Sequence, residues 1–313
     1  MSTETKTTER RAGRGLLARL RASPFLSDFL SNRLALAGLL LIAGVVAVAL
    51  YARVGAALGF APSVEALRAT RIGTNPSLAA PSAAHPFGTD IQARDIFARS
   101  LYGAWLAMKY GTITVGVSTA LGVGLGVVAA YYGDVTDNVI MRSMDVLLAF
   151  PSLLLALALV AIFPDDLGLW RAVAALTLVY TPRFARVVRG AALKVMEDEY
   201  IDATVALGAR DPRVLVRHVL PNCLAPITVQ STLNFGLAII DLAALSFLGF
   251  GAGPGTPSWG LMLSNGVSQG LLTGEWWWSF FPGLLLAITV LGFNLLGDGM
   301  RDALDPRMRQ AVD

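Results

Sequence analysis

Cysteine and histidine are almost missing from this chain of 313 residues, which has one Cys, Cys223, and two His, His85 and His218. A lone cysteine excludes an internal disulfide and a thiolate metal cage, and leaves packing as its expected role. Two imidazoles, expected on opposite sides of a membrane, assemble no metal site either, so His85 is read as a turn former. Charge is scarce too. Asp, Glu, Lys and Arg make up 15% of the residues while 55% are hydrophobic; soluble domains carry about 25% charged residues. Such a composition belongs in a bilayer. The net charge of +3 is small and the basic residues are spread over several loops, which argues against a nucleic-acid partner. A G-x-x-x-x-G-K-[ST] phosphate loop is also absent. The chain is therefore not expected to hydrolyse ATP or to bind a cofactor of its own.

What is present is a series of apolar runs close to the ~20 residues that a hydrocarbon core of about 30 Å demands. They fall at Leu34–Tyr51, Tyr110–Tyr132, Val139–Phe163, Leu169–Phe184, Cys223–Phe250 and Trp278–Gly297. The expected fold class is an all-α integral membrane protein with six transmembrane helices. Arg and Lys set the orientation. Seven lie in residues 1–33 and seven more between Arg183 and Arg217, whereas Gly249–Trp277 holds none. The positive-inside rule then puts both termini in the cytoplasm. Five Arg in the loop 52–108 do not overturn this, because long loops cross largely regardless of charge. The expected organisation is a cytoplasmic tail (1–33), a first helix (34–51), an extracytoplasmic loop (52–108), a core of five helices (109–297) and a cytoplasmic tail (298–313). Within the core, residues 185–222 form a cytoplasmic loop. The first apolar run exceeds a signal-peptide h-region and follows too long a leader, so it is read as a retained helix. Residues 1–23 read as a disordered or membrane-surface tail.

A charged island, Glu199–Asn222, separates spans four and five. Glu197, Asp198, Glu199 and Asp202 cluster where a helix would begin, suiting its positive N-terminal end. Gly208 stands where that helix should stop in a left-handed residue. Asp211 and Pro212 read as N-cap and first residue of a second helix, running to Leu220 before Pro221. A helix–Gly–helix hairpin just outside a membrane suits a soluble partner.

Inside the membrane, Gly111, Ser118, Gly122 and Gly126 share one face of the second span. Gly122 and Gly126 form a G-x-x-x-G pair that lets helices approach closely. In the fifth span Gln230, Asn234 and Asp241 project within roughly 40° of one another. Such a stripe either lines a substrate path or bonds helices together, since a carboxylate at the bilayer centre costs about 2.5–3.5 kcal/mol. Arg142 and Asp145 are expected to pair and snorkel. Trp276, Trp277 and Trp278 with Phe280 and Phe281 read as an interfacial aromatic belt.

The island, Glu199-Tyr-Ile-Asp202-Ala203-Thr204 through Gly208 to Leu220-Pro221, closely resembles the EAA loop of permease subunits of ATP-binding-cassette (ABC) importers. Thr204 stands where a second Ala is usual. The outer loop resembles the peptide/nickel branch of that family in His85-Pro-Phe-Gly-Thr-Asp90, Arg94-Asp95 and Tyr102-Gly103, with Ala93 in place of the usual Gly. So do Tyr131-Tyr-Gly133, Met141-Arg142, Asp145 and Ala149-Phe-Pro151. Pro257-Ser-Trp-Gly260 and the run from Asn294 to Pro306 resemble the second of the two permeases in such importers. Asp241 stands where Glu is usual. The likeness covers nearly everything from Asn32 to Arg307. It implies a bacterial inner-membrane subunit paired with a second homologous permease and embedded in membrane lipid. Two cytoplasmic ABC ATPases dock on the hairpin, and an extracytoplasmic substrate-binding protein delivers peptides, nickel chelates, opines or related solutes.

Two other classes compete. An ion-coupled secondary transporter would use Asp241 as its proton site, but needs no cytoplasmic hairpin and usually shows repeats or broken spans. A membrane hydrolase would use Gly266-Val-Ser268-Gln-Gly270 as a nucleophile elbow. That elbow needs a downstream His, and none follows His218.

Overall fold

The computed structural model describes residues 29–304; the expectations for residues 1–28 and 305–313 lie outside them. Among the described residues the regular structure is helical, apart from isolated bridges at Ile72–Asn75 and Thr89–Asp95. Helix α1 (Arg33–Leu58) starts at Asn32, whose side chain accepts from the N–H groups of Leu34 and Ala35. A short α2 (Val64–Arg68) follows. Helix α3 (Ile96–Tyr132) is capped by Asp95, which accepts from the Ala98 N–H. Its 37 residues rise about 55 Å, well beyond the hydrocarbon core. The amphipathic run before Met108 and the expected span from Tyr110 are thus one rod, because no breaker interrupts them.

The expected third span, Val139–Phe163, is two helices. Helix α4 (Asp134–Leu148) and α5 (Ser152–Val160) meet at 93°. Pro151 supplies no N–H and drives the residue before it away from helical geometry, so the chain turns at Phe150-Pro151. Helix α6 (Leu169–Met196) outruns the expected fourth span, and carries Arg183, Arg186, Arg189 and Lys194 on the helix itself. Helix α10 (Leu224–Phe247) and α13 (Trp277–Leu304) are long and apolar enough to cross a membrane, as are α1 and α3; the bent pair makes a fifth candidate if counted as one span. Between α6 and α10 lie α7 (Glu199–Ala206), α8 (Asp211–Val214) and α9 (Leu220–Asn222). Between α10 and α13 lie α11 (Trp259–Asn265) and α12 (Leu271–Thr273).

The core forms where α3, α5, α6 and α10 meet, around Val115, Val160, Leu176, Phe184, Leu242 and Leu245. The small-residue face of α3 is what brings α6 so near. A Cβ on Gly122 would lie 2.7 Å from the Thr181 carbonyl oxygen, and one on Gly126 would lie 2.5 Å from that of Ala185. Neither position has room for any side chain.

At the other end, three arginines staple the loop after α2. Arg94 Nε donates to Asp90 at 2.7 Å, and Asp90 also accepts from the N–H groups of Gln92 and Arg94. Arg99, almost wholly buried, donates to the carbonyls of Leu67 and Gly255. Arg68 donates to the Thr256 hydroxyl at 3.0 Å. His85 pairs with Asp95 at 2.7 Å, and its carbonyl accepts from the N–H groups of Ser82 and Gly88 in a turn. The tryptophans divide. Trp276 and Phe280 face outward, while Trp278 is buried against Ile96 and Met262, so the expected belt is only partly one. The Arg142–Asp145 pair is stretched to 4.0 Å, because Asp145 takes a closer bond of 2.6 Å from Arg186 on α6.

Candidate functional site

The hairpin between α6 and α10 is built on local signals. Helix α7 ends in a Schellman motif: the Gly208 N–H donates to the Val205 carbonyl and the Ala209 N–H to that of Thr204. That closure needs a left-handed residue, and Gly208 has φ +83°. Two details differ from the expectation. The cap of α8 is Arg210, with Asp211 and Pro212 its first two residues. The Asp211 carboxylate makes no cap; it accepts from the Tyr131 hydroxyl at 3.0 Å and the Tyr132 hydroxyl at 3.3 Å. Pro221 does not end the helix either. A π-helical turn, Leu215–Val219, widens the path so that α9 carries Leu220, Pro221 and Asn222 onward.

One side of the hairpin is sealed to the bundle. Ile201, Val214 and Val219 pack with Val127, Val188, Ala192 and Ile227. The other side is bare. Leu207 at the tip is 89% exposed, and Val205, Val216 and Tyr200 are exposed beside it. Glu199, Asp202, Ala203, Gly208, Pro212 and Pro221 are exposed, while Asp211 and Leu220 are half-buried.

The membrane stripe is less open than its periodicity implies. Gln230 donates along its own helix to Asn234 at 3.1 Å. Asn234 is only 1% exposed, and its amide nitrogen lacks a hydrogen-bond partner. Asp241 is half-buried and accepts from the hydroxyl of Tyr180 on α6 at 2.6 Å. Arg183, one turn on, lies over the Tyr180 ring at 5.1 Å. Tyr180 was not legible as a partner, since nothing in an apolar run reveals which tyrosine will face an acid on another helix. Tyr131 and Tyr132 escaped for the same reason. Among the described residues no group of His, Cys, Asp and Glu could hold a metal ion.

Residues 122–310 match the family described as binding-protein-dependent transport system inner membrane component. The chain belongs to that family. Among curated relatives, the dipeptide transport system permease protein DppC of Alkalihalophilus pseudofirmus is 44% identical over 89% of this chain and 87% of its own length. DppC of Escherichia coli K12 is 44% identical over 73% and 75%. The glutathione transport system permease protein GsiD of Pectobacterium atrosepticum is 43% identical over 73% and 75%. A solved structure of the MetNI methionine ABC transporter, in an inward-facing conformation, shares the fold: TM-score 0.51 at 19% identity, over 70% of this chain and 98% of that one. The chain is thus a multi-pass inner-membrane permease of the ABC-importer class. Membership in the family supports the importer over the ion-coupled secondary transporter.

Proposed function

We propose that this chain forms half of the transmembrane pathway of an ABC importer for di- or oligopeptides, beside a second homologous permease. Two cytoplasmic ATPases supply the hydrolysis, and a binding protein delivers cargo from the other side. The relatives' names carry the cargo class, since a dipeptide and glutathione are both short peptides. We take the bent α4–α5 pair and α6 as one span each, for six crossings, and the distribution of Arg and Lys supports placing both termini in the cytoplasm. One observation carries the docking role: the hairpin's base is packed into the bundle while its tip offers Leu207, Val205 and Val216 to nothing among the described residues. An apolar tip of that kind suits a cleft in a soluble partner. Glu199, Asp202, Ala203, Gly208, Asp211, Pro212, Leu220 and Pro221 shape that surface. Gln230, Asn234 and Asp241 are assigned to the translocation path in states where α10 shifts against α6.

The experiment is a pair of substitutions at Gly208 in the assembled importer. Beyond its chain neighbours, no atom of the described residues lies within 4 Å of a Cβ built there, so only the left-handed backbone resists a side chain. Gly208→Val should insert normally yet lose ATP-driven dipeptide uptake, whereas Gly208→Asn, which tolerates that backbone, should keep most of it. Undiminished uptake by the valine variant would refute the docking role.

A further inference from the structure

At the end of the molecule opposite the hairpin, α1, α2, α3, α6, the turn at residues 165–168 before it and the loop before α11 line a half-open cavity of about 780 Å³. Small-molecule sites run from roughly 300 to 1,000 Å³. Both signs of charge line it: Arg53, Arg68 and Lys109 against Glu65, Asp165 and Asp166. Several are already engaged. Arg68 donates to Thr256, Asp165 pairs with Arg171, and Arg53 lies over the Trp105 ring. Lys109 differs. Its ammonium nitrogen sits 4.9 Å from the ring centre of Tyr110 and 5.4 Å from that of Trp170. The two rings meet edge to face with centroids 5.2 Å apart, a fixed corner. The side chain is half-buried, and no described carboxylate pairs with it. Ring faces replace part of its hydration but supply no counter-charge, so an anion arriving there meets an unsatisfied cation. The opposite charges nearby select among anions. A phosphate would face the two unpaired carboxylates of Glu65 and Asp166, whereas a molecule with a carboxylate at one end and an ammonium at the other matches both signs. Aromatic walls suit its side chains.

Resting on the peptide-importer reading above, we propose that this cavity is an entry subsite. Lys109 takes the terminal carboxylate of a small zwitterionic peptide, and Glu65 and Asp166, unpaired among the described residues, take its ammonium end. The probe is L-alanyl-L-alanine, with L-alanyl-L-alanine amide as the form lacking the carboxylate. In the assembled importer, Lys109→Gln should cut dipeptide uptake by roughly tenfold, the scale of one lost charge-assisted hydrogen bond. Lys109→Arg should keep most of it, and ATPase stimulation by the loaded binding protein should persist in both. Saturation-transfer NMR on the importer without its binding protein should show contact with the free dipeptide. That contact should vanish in Lys109→Gln and be weak for the amide. Unchanged uptake in Lys109→Gln, or equal contact from acid and amide, overturns the subsite. Loss of ATPase stimulation together with uptake would instead give the cavity to a lobe of the binding protein, and overturns it as well. Should the wild-type importer move no peptide at all, the peptide reading of the function falls, while saturation transfer still decides on the cavity.

Discussion

At the scale of single residues, the side-chain partners are where the structure departs most from the pattern. Asn234 and Gln230 lie on one helical face by periodicity, yet only Gln230 is half-exposed; Asn234 is shut away. A cysteine at 230, in a background without Cys223, should therefore react with a small aqueous thiol reagent in the resting importer. One at 234 should react only when nucleotide on the ATPases shifts the helices. Equal inertness of both in every state would make the stripe glue between helices. Ala93 teaches a related lesson. Replacing Gly by Ala looks conservative, but Ala93 is fully buried at φ +57°, where a methyl group costs about 1 kcal/mol or more. Sequence supplies the residue; only the backbone angle reveals the strain.

At the scale of elements, long apolar helices were legible because their signal is summed over some twenty residues. Breaks and junctions were harder to place, because each turns on one or two: Gly208 was legible as a left-handed stop, but the size of the bend at Pro151 was not. Pro151 sets the 93° bend that hydropathy alone averages away. The π turn before Pro221 leaves no mark in composition at all. The G-x-x-x-G face was legible, and it yields a sharp contrast along α3. Gly122→Leu would drive a side chain into the α6 backbone, while Gly116 and Gly124 have nothing within 4 Å of an added Cβ. Overpacking costs typically 1–3 kcal/mol and more against backbone. Gly122→Leu should therefore reduce the yield of monodisperse protein in size-exclusion chromatography, and Gly116→Leu and Gly124→Leu should not. Equal yields for all three would mean that α3 and α6 are not packed through this face.

At the scale of the whole molecule, α3 is the member that reaches both ends. Its first turn holds Arg99, bound to the carbonyls of Leu67 and Gly255, and its last holds Tyr131 and Tyr132, bound to Asp211 at the start of α8 in the hairpin. Lys109 and Tyr131 are separated by about 33 Å of continuous helix. On the docking role proposed above, movement of the hairpin under an ATPase would reach the cavity end through this one helix rather than through a chain of soft contacts. The two tyrosine hydroxyls are the joint between hairpin and rod. Removing both, in Tyr131→Phe with Tyr132→Phe, deletes the hydrogen bonds and keeps the rings that pack edge to face at 5.2 Å. The double variant should hydrolyse ATP at near the normal rate while carrying fewer peptides per ATP, and each single variant should fall between. The measurement is the ratio of dipeptide taken up to phosphate released in proteoliposomes. If that ratio stays normal while both rates fall together, the hydroxyls serve only to fold the hairpin. Motion would then have to reach the far end through α6, which the hairpin also grips at Val188 and Ala192.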